Sequence, residues 1–296
     1  MSIEKNLYFI FTMDCERVGT ESWMNDGAPS WSISEKAILG MAEVLKRKKA
    51  IGGFYSTPAT AKKHRKIFIE LAKEGFELGL QFHCDSFRDL KYRKHLGQYE
   101  YKKQKEILKL AKQDWEDALG MESTVFKPGY GSANDHTFPI LSELGYRETS
   151  NTYAGGYDRS VGRDWRGAFP YAHHASSESR LICGNLDLYK IPVTALLPGM
   201  FSSRITLNPD MYSLRGVHSR LIRTYVQTML EKKQPIKTVV AATHNTTDYL
   251  DKNDVRTQLM GYIIDSARET AKKYGLNFVP ATLEKIHQEA DKIGAF

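Results

Sequence analysis

The chain has 296 residues, of which 41% are hydrophobic and 26% are charged, a balance typical of globular proteins. Its formal net charge is +7, but the basic residues are spread over predicted helices and form no recognised nucleic-acid-binding module, so we expect no nucleic-acid partner. The excess charge instead suits an anionic substrate or a membrane surface. We find no transmembrane segment and no secretory signal, and we therefore predict a cytoplasmic protein. The sequence does not indicate an oligomeric state.

Predicted strands alternate with predicted helices along most of the chain. The strands are expected at residues 7–12, 51–56, 77–83, 123–127, 146–149, 238–243 and 276–279. The helices are expected at residues 34–49, 57–75, 97–120, 134–144, 212–232, 251–274 and from 282 onward. This alternation predicts an α/β fold with a parallel sheet and right-handed crossovers, in one domain that covers residues 1–296. Residues 151–178 show no helix or strand period, and we predict a long covering loop with a functional role there.

An acidic pair follows the first predicted strand. Asp14 and Glu16 are expected just beyond the apolar run, where α/β proteins assemble their sites. Residues two apart in an extended chain point the same way, so both carboxylates can face one pocket. Two like charges this close need a cation or a shared proton, which indicates a metal ion or a general base. The alternative is that Asp14 caps a turn and Glu16 is solvated.

Three further strand ends carry polar side chains. They are 81–85, 127–131 and 243–245. In a barrel these ends and the acidic pair would meet at one mouth. The set then includes His83, His244, several carboxylates and a Gly/Pro turn, which together can supply metal ligands, a base and an acid. A single histidine in such a place would more often have a structural role.

These segments resemble, in order and over most of the chain, the motifs of the NodB-homology polysaccharide deacetylases, carbohydrate esterase family 4. Residues 12–16, 75–83 and 126–132 resemble the first three motifs, and 188–193 and 240–244 resemble two later strands. The resemblance implies a distorted (β/α) barrel of the NodB-homology type, in which a metal-bound water hydrolyses an N-acetyl group on a sugar.

The resemblance also implies catalytic roles. Asp14 corresponds to the base and His244 to the general acid that protonates the departing amine. Lys127 stands where the family usually has arginine, and we expect it to orient Asp14 and keep it ionised, with less geometric control than an arginine fork gives. The alternative for Lys127 is a surface lysine without a role in the site.

The metal motif departs from the family pattern. Gln81 and Asp85 occupy the positions of the two usual histidines, and the nearest histidine is His83 between them. We predict a divalent transition metal, with Zn favoured and Co or Mn as alternatives, bound by Glu16, His83 and Asp85. Whether Gln81 or Asp85 completes the site is left open. The alternative is a degenerate site that has lost its metal.

Candidate substrate-binding residues lie in two places. Tyr130 belongs to the third motif, which forms one wall of the family's groove. Trp165, Arg166, His173 and His174 lie in the predicted cover, where aromatic and arginine side chains could stack on a sugar and bind an acidic group. The alternative is an exposed loop with incidental histidines.

The resemblance predicts a hydrolase that removes the N-acetyl group from an amino sugar of a cell-surface polysaccharide or its intracellular precursor. The expected substrate is an acetylated amino sugar, for example a nucleotide- or lipid-linked one for lipopolysaccharide or O-antigen biosynthesis. Two other functions remain open. The first is a metal-independent amidohydrolase of the same fold that acts on a small cyclic amide, and the second is an inactive sugar-binding module.

Overall fold

The computed structural model describes residues 5–21, 27–88, 91–150, 154–195, 206–210 and 214–294. The strands are β1 (Asn6–Cys15), β2 (Gly52–Ser56), β3 (Glu77–Phe82), β4 (Val125–Pro128), β5 (Glu148–Thr149), β6 (Tyr157–Asp158), β7 (Arg163–Asp164), β8 (His173–His174), β9 (Tyr189–Lys190), β10 (Lys237–His244) and β11 (Asn277–Pro280). The helices are α1 (Trp31–Arg47), α2 (Pro58–Lys63), α3 (Arg65–Lys73), α4 (Tyr101–Leu119), α5 (Thr137–Glu143), α6 (Arg215–Glu231), α7 (Val255–Lys273) and α8 (Leu283–Lys292). None of the helices within these ranges has the length and apolarity that a membrane span requires.

The strand β1 is buried on both faces, as its uninterrupted apolar sequence predicts. Phe9 and Phe11 point outward and pack in the layer between the sheet and the surrounding helices. Tyr8 and Ile10 point inward and belong to a second, smaller apolar cluster. The two clusters show that the sheet is curled around an interior of its own.

The main sheet has the strand order β10-β1-β2-β3-β4-β5-β9-β8, with β11 added beside the first half of β1. All of these pairings are parallel except that of β8 with β9. After β9 the chain returns to the other end of the sheet, where the Thr194 amide donates to the Val240 carbonyl of β10 at 3.0 Å. The sheet therefore forms a distorted, partly closed barrel, and the predicted fold class is confirmed.

The helix α8 closes one end of this barrel. Its residues Leu283, Ile286 and Ala290 are fully buried and pack in the inner cluster with Tyr8 and Ile10. We call this end the base, and we call the opposite end, where β1, β3, β4 and β10 finish, the mouth. A parallel barrel presents its functional groups at the carboxyl ends of its strands, so we expect the site at the mouth.

Two local predictions are corrected by the structure. The helix expected over 57–75 is divided into α2 and α3 at His64, whose buried ring hydrogen-bonds to Ser34 at 3.0 Å. The covering loop expected over 151–178 contains the β6–β7 hairpin and β8, and its large aromatic residues Trp165 and Tyr171 are buried. This segment is therefore largely packed structure; residues 151–153 lie outside the described ranges.

Candidate active site

Asp14 and His244 lie side by side at the mouth. They are register partners in the parallel pairing of β1 with β10. Asp14 lies within β1, which continues to Cys15, whereas the sequence predicted it just beyond the strand. A carboxylate held in a strand has its backbone hydrogen-bonded to its neighbours, so its position is more closely fixed than in a loop.

Lys127 is buried and faces Asp14. Its side chain is only 3% exposed, and its Nζ donates to Asp14 Oδ1 at 2.5 Å and to Thr12 Oγ1 at 3.3 Å. Pairing of β4 with β3 brings Lys127 level with Gln81, and β4 is three strands away from β1 around the curled sheet. A buried ammonium needs an anionic partner, and Asp14 supplies it. The surface alternative for Lys127 does not fit this position.

His244 is held by Asp210. Asp210 Oδ2 accepts hydrogen bonds from the His244 backbone amide at 2.8 Å and lies 3.1 Å from His244 Nδ1. Burial alone would lower the pKa of His244, but the hydrogen bond to Asp210 and the charges of Glu16 and Asp14 raise it to about 9. The imidazole is therefore protonated at neutral pH, and its Nε2 is the nitrogen left for donating a proton to a substrate.

Asp210 was not among the residues predicted from the sequence. It comes from a short described stretch, 206–210, and is fixed by Thr243 Oγ1 at 2.8 Å and by the Tyr249 hydroxyl at 2.5 Å. Burial opposes ionisation, but these bonds and His244 lower the pKa of Asp210. The only local signal was a polar Asn-Pro-Asp turn, which by itself does not indicate a partner 34 residues away.

Glu16, His83 and Asp85 form a second polar group. His83 Nε2 lies 3.1 Å from Glu16 Oε1, and His83 Nδ1 lies 3.4 Å from Asp85 Oδ1. Burial opposes charge on the His83 ring, but both carboxylates raise its pKa well above its ordinary value. Burial likewise opposes ionisation of Glu16, yet His83 and His244 lower the pKa of its carboxyl to about 2. The His83 ring therefore lies between two carboxyl groups that favour its protonated form.

This arrangement does not fit the predicted three-ligand metal site. Glu16 and Asp85 lie at opposite edges of the His83 ring and meet different nitrogens, so one ion cannot contact all three residues. Catalytic zinc usually has three protein ligands. Only Glu16 and His83 Nε2 converge here, with the Gln81 amide at 3.3 and 3.0 Å from them. We therefore derive no catalytic step through a metal at the mouth.

Gly129 and His83 are departures from the family pattern that depend on each other. A Cβ at residue 129 would lie 2.4 Å from the His83 ring, closer than side chains approach. The sequence places Gly129 where the resembled motif usually has proline, and the missing side chain leaves room for the imidazole. The next residue, Tyr130, has φ +56°, and its hydroxyl lies 3.3 Å from Asp85 Oδ2. Tyr130 thus borders the polar group, as expected for a wall of the site.

The other predicted substrate-binding residues do not join the polar groups of the mouth. Trp165 is fully buried and donates to the Gly131 carbonyl at 2.9 Å, and Arg166 is a surface residue paired with Asp164. His173 and His174 are buried on β8 instead of exposed in a loop. The His173 ring packs on the outer side against Phe169. The His174 ring lies at the base, next to His287 of α8.

Asn245 is a second site residue that the sequence analysis did not single out for a role. Its side-chain oxygen accepts from the Glu16 amide at 2.9 Å, and its side-chain nitrogen donates to the Glu16 carbonyl at 2.8 Å. These paired bonds fasten the chain just after β1 to the end of β10. Asn245 therefore fixes Glu16 relative to His244.

A cavity of about 580 Å³ opens beside His83. Four basic side chains line it, together with two acidic ones: Arg17, Lys62, Arg65 and Arg88, with Asp114 and Asp117. Several of these are already engaged, for example Arg88 with Asp114 at 2.7 Å. The lining has a net positive charge, so the region next to the polar groups favours an anionic ligand.

The polysaccharide deacetylase family model matches residues 27–149. Over this segment the chain is similar to the polysaccharide deacetylase family. The match confirms the predicted resemblance and, at this level, the predicted enzyme class of carbohydrate deacetylases, which are amide hydrolases and generally use a divalent metal. A comparison with curated proteins finds no match.

Solved structures share the fold along nearly the whole chain. A putative polysaccharide deacetylase from Mycobacterium smegmatis is 15% identical, with 99% of this chain and 93% of that chain covered and a TM-score of 0.63. A probable polysaccharide deacetylase from Pseudomonas aeruginosa PAO1 is 11% identical, with the same coverage and a TM-score of 0.64. PuuE allantoinase is 8% identical, again with 99% and 93% covered and a TM-score of 0.66. At these identities the likeness establishes the fold of the chain alone.

Proposed function

We propose that this chain hydrolyses the amide of an N-acylated amino sugar. The observation that carries the proposal is the pairing of Asp14 with His244 across β1 and β10, with Lys127 behind the first and Asp210 behind the second. Amide hydrolysis needs a base for the attacking water and an acid for the leaving nitrogen. The two residues supply both functions from neighbouring strands.

The proposed chemistry runs in two steps. Asp14 removes a proton from water as the water oxygen bonds to the acyl carbon, and the carbonyl π electrons move onto its oxygen. His244 then protonates the nitrogen from Nε2, the carbon–nitrogen bond breaks, and acetate and a free amine leave. Asp210 keeps the His244 ring in place and favours its protonated form before the reaction begins.

The proposed substrate is acidic, for example an acetamido sugar linked to a nucleotide or a lipid phosphate. The supporting observation is the basic lining of the cavity beside His83. A direct test is to incubate the purified chain with a nucleotide-linked N-acetylhexosamine, an uncharged chitooligosaccharide and a small cyclic ureide, and to measure acetate or ring opening. We expect acetate release, fastest from the nucleotide-linked sugar. Release from none of the acetylated sugars would refute the proposal.

Ring opening of the ureide alone would instead support the second candidate, an amidohydrolase acting on a small cyclic amide. One observation favours it: His83 meets Glu16 and Asp85 through different ring nitrogens, so the three residues do not converge on one metal ion. The shared fold with PuuE allantoinase is consistent with this candidate but does not argue for it over the first.

We expect Lys62→Ala to raise the KM for the nucleotide-linked substrate several-fold while kcat changes little. Lys62 is exposed on α2 and lines the basic cavity, so its charge would contribute binding that is equal in the ground state and the transition state. The measurement is steady-state kinetics at low ionic strength. Lys63→Ala is the matched control, because Lys63 is also exposed but does not line the cavity. An equal rise in KM for both variants would show that the cavity is not part of the substrate-binding site.

Treatment with a chelator is expected to leave the rate of amide hydrolysis within about twofold of its starting value. The reason is that the ligand set of Glu16, His83 and Asp85 does not converge on one point. The measurement is acetate release before and after exhaustive chelation, with metal content determined on the same samples. Loss of activity that added Zn²⁺ restores, with no change in the melting temperature, would show that the mouth rearranges to hold a metal.

A further inference from the structure

A group of metal-binding side chains lies at the base of the barrel, at the opposite end from Asp14. His174 on β8 and His287 and Asp291 on α8 offer ligand atoms that all lie within 4.8 Å of one another. Lys285 and Glu289 of α8 act electrostatically on Tyr8, near the start of β1. Asp14 is six residues beyond Tyr8 on β1. At about 3.3 Å per residue, these two residues are roughly 20 Å apart.

The two histidines of this group have the orientation that metal ligands need. His174 Nδ1 lies 3.0 Å from the Leu186 carbonyl, and His287 Nδ1 lies 2.8 Å from Glu148 Oε1. Metal-bound histidines almost always use their second nitrogen in this way, because the bond fixes the tautomer and the ring direction. The Nε2 atoms of both rings are thereby directed toward Asp291 Oδ1, at 3.6 Å from His174 and 3.5 Å from His287.

The buried Nε2 atom of His287 independently indicates a ligand at this place. His287 is 2% exposed, and among the described residues this nitrogen has no hydrogen-bond partner. The carboxylates of Asp291 and Asp187, at 3.5 and 3.9 Å, are too far for a hydrogen bond. A buried nitrogen without a partner is costly, and a cation placed among these groups would satisfy it.

We propose that the base holds one divalent transition metal, with Zn²⁺ the best fit, bound by His174, His287 and Asp291. In tetrahedral zinc sites neighbouring ligand atoms are about 3.3 Å apart, close to the 3.6 and 3.5 Å that separate Asp291 Oδ1 from the two Nε2 atoms. Asp187 Oδ1 lies 3.9 Å from His287 Nε2 and can provide a fourth ligand. Asp291 and Asp187 are 49% and 62% exposed, so an ion can enter from solvent.

The bound ion would fasten α8 to the sheet. Two ligands come from one turn of α8, one comes from β8, and Asp187 precedes β9. The His287 ring is already stacked on Tyr189 of β9, with ring centres 5.0 Å apart and planes 6° apart. The role of the ion is therefore structural: it holds in place the helix that closes the inner cluster.

The test uses the full chain without a histidine tag. Zn²⁺ titration by calorimetry, the visible spectrum of the Co²⁺ form and melting curves with and without Zn²⁺ are compared for the wild type, Asp291→Asn, His174→Gln, Glu289→Gln and Glu16→Gln. We expect about one equivalent of Zn²⁺ and a higher melting temperature in the wild type. Asp291→Asn and His174→Gln should weaken binding at least tenfold, in line with the loss of metal-site partners elsewhere.

The controls separate the base from other sites. Glu289 lies on the same helix two residues before Asp291 and pairs with Lys285 and Lys292, so Glu289→Gln should bind Zn²⁺ like the wild type. Glu16→Gln should also bind normally, because Glu16 is at the mouth. Asp291 is half exposed, so its variant remains informative if the buried His174 variant fails to fold. Absence of Zn²⁺ binding by the wild type, unchanged binding by Asp291→Asn, or loss of binding in Glu16→Gln alone would overturn the proposal.

Discussion

Replacing Asp14 with asparagine is expected to lower the rate of amide hydrolysis by about two to four orders of magnitude, because asparagine cannot take a proton from water. The exchange keeps the shape of the side chain and an oxygen that can accept from Lys127. The fold should therefore survive, but with a lower melting temperature than the wild type, because the buried Lys127 ammonium loses its anionic partner. Acetate release and thermal unfolding are measured on one preparation.

The matched control for this variant is Asp135→Asn. Asp135 is a half-exposed carboxylate that pairs with Arg180 at 2.9 Å, and exposed pairs of this kind contribute little to stability. We expect wild-type kinetics from it. If Asp14→Asn turned over at the wild-type rate, another group would have to be the base. If it unfolded, the carboxylate would be needed for the fold, and the catalytic assignment would lose its support.

The second large effect is expected at His244. His244→Gln should lower kcat by roughly 10²- to 10⁴-fold, because glutamine has no acidic proton to give to the leaving nitrogen. The pH dependence carries a sharper prediction. The pKa of His244 is raised to about 9, so the proton donor is present at neutral pH and is lost as the pH rises through that value. The rate of the wild type should fall on this alkaline side.

Asp210 offers a way to separate positioning from catalysis. Its hydrogen bond is the main factor that raises the pKa of His244 against the effect of burial, so Asp210→Asn should move the alkaline fall in rate to lower pH. A merely structural role would reduce the amount of active protein without moving the profile. Full pH–rate profiles of the wild type and the variant give the answer. An unchanged alkaline limb in Asp210→Asn would show that a group other than His244 controls it.

The same shift has a consequence for stability. A histidine whose pKa is higher in the folded protein than its ordinary 6.5 stabilises the fold fully below that pH, and this contribution disappears as the pH rises through about 9. His244 is about one-third exposed, so solvent weakens the effect. The stabilising part should therefore be modest, and the change in rate should be the clearer signal.

The elements with strong local patterns were predicted well from the sequence. The uninterrupted apolar runs that became β1 and β10 and the long periodic segments that became α4 and α7 were each placed within a few residues of their observed bounds. Residues 154–178 were not, since their strands β6, β7 and β8 are only two residues long. Such strands carry no period, and burial of their aromatic residues depends on the rest of the fold.

The site was predictable to the extent that its residues share strand ends. Asp14, Lys127 and His244 meet because parallel strands present their carboxyl ends at one mouth. The sequence does not indicate which way the ring of a histidine faces. His83 was predicted as a metal ligand beside Asp85, but Asp85 faces the Nδ1 of that ring instead of sharing an ion with it.

Pairs with large sequence separation were also beyond local reasoning. His174 and His287 are more than a hundred residues apart, and only the docking of α8 under the sheet brings their rings to a centre distance of 5.3 Å. The sequence pattern places His174 in the predicted cover and indicates no role for His287. The fold separates His174 from His173, because adjacent residues in a strand point to opposite faces.

The strand β1 is hydrogen-bonded to β10 on one side and to both β11 and β2 on the other. Its backbone amides are therefore expected to exchange with solvent deuterium only when the whole molecule opens, and to be among the slowest in the chain. Asp14 belongs to this strand, so the catalytic carboxylate should keep its place until the fold itself is lost. On heating, activity and global unfolding should decline together, without an earlier stage in which the folded protein is inactive.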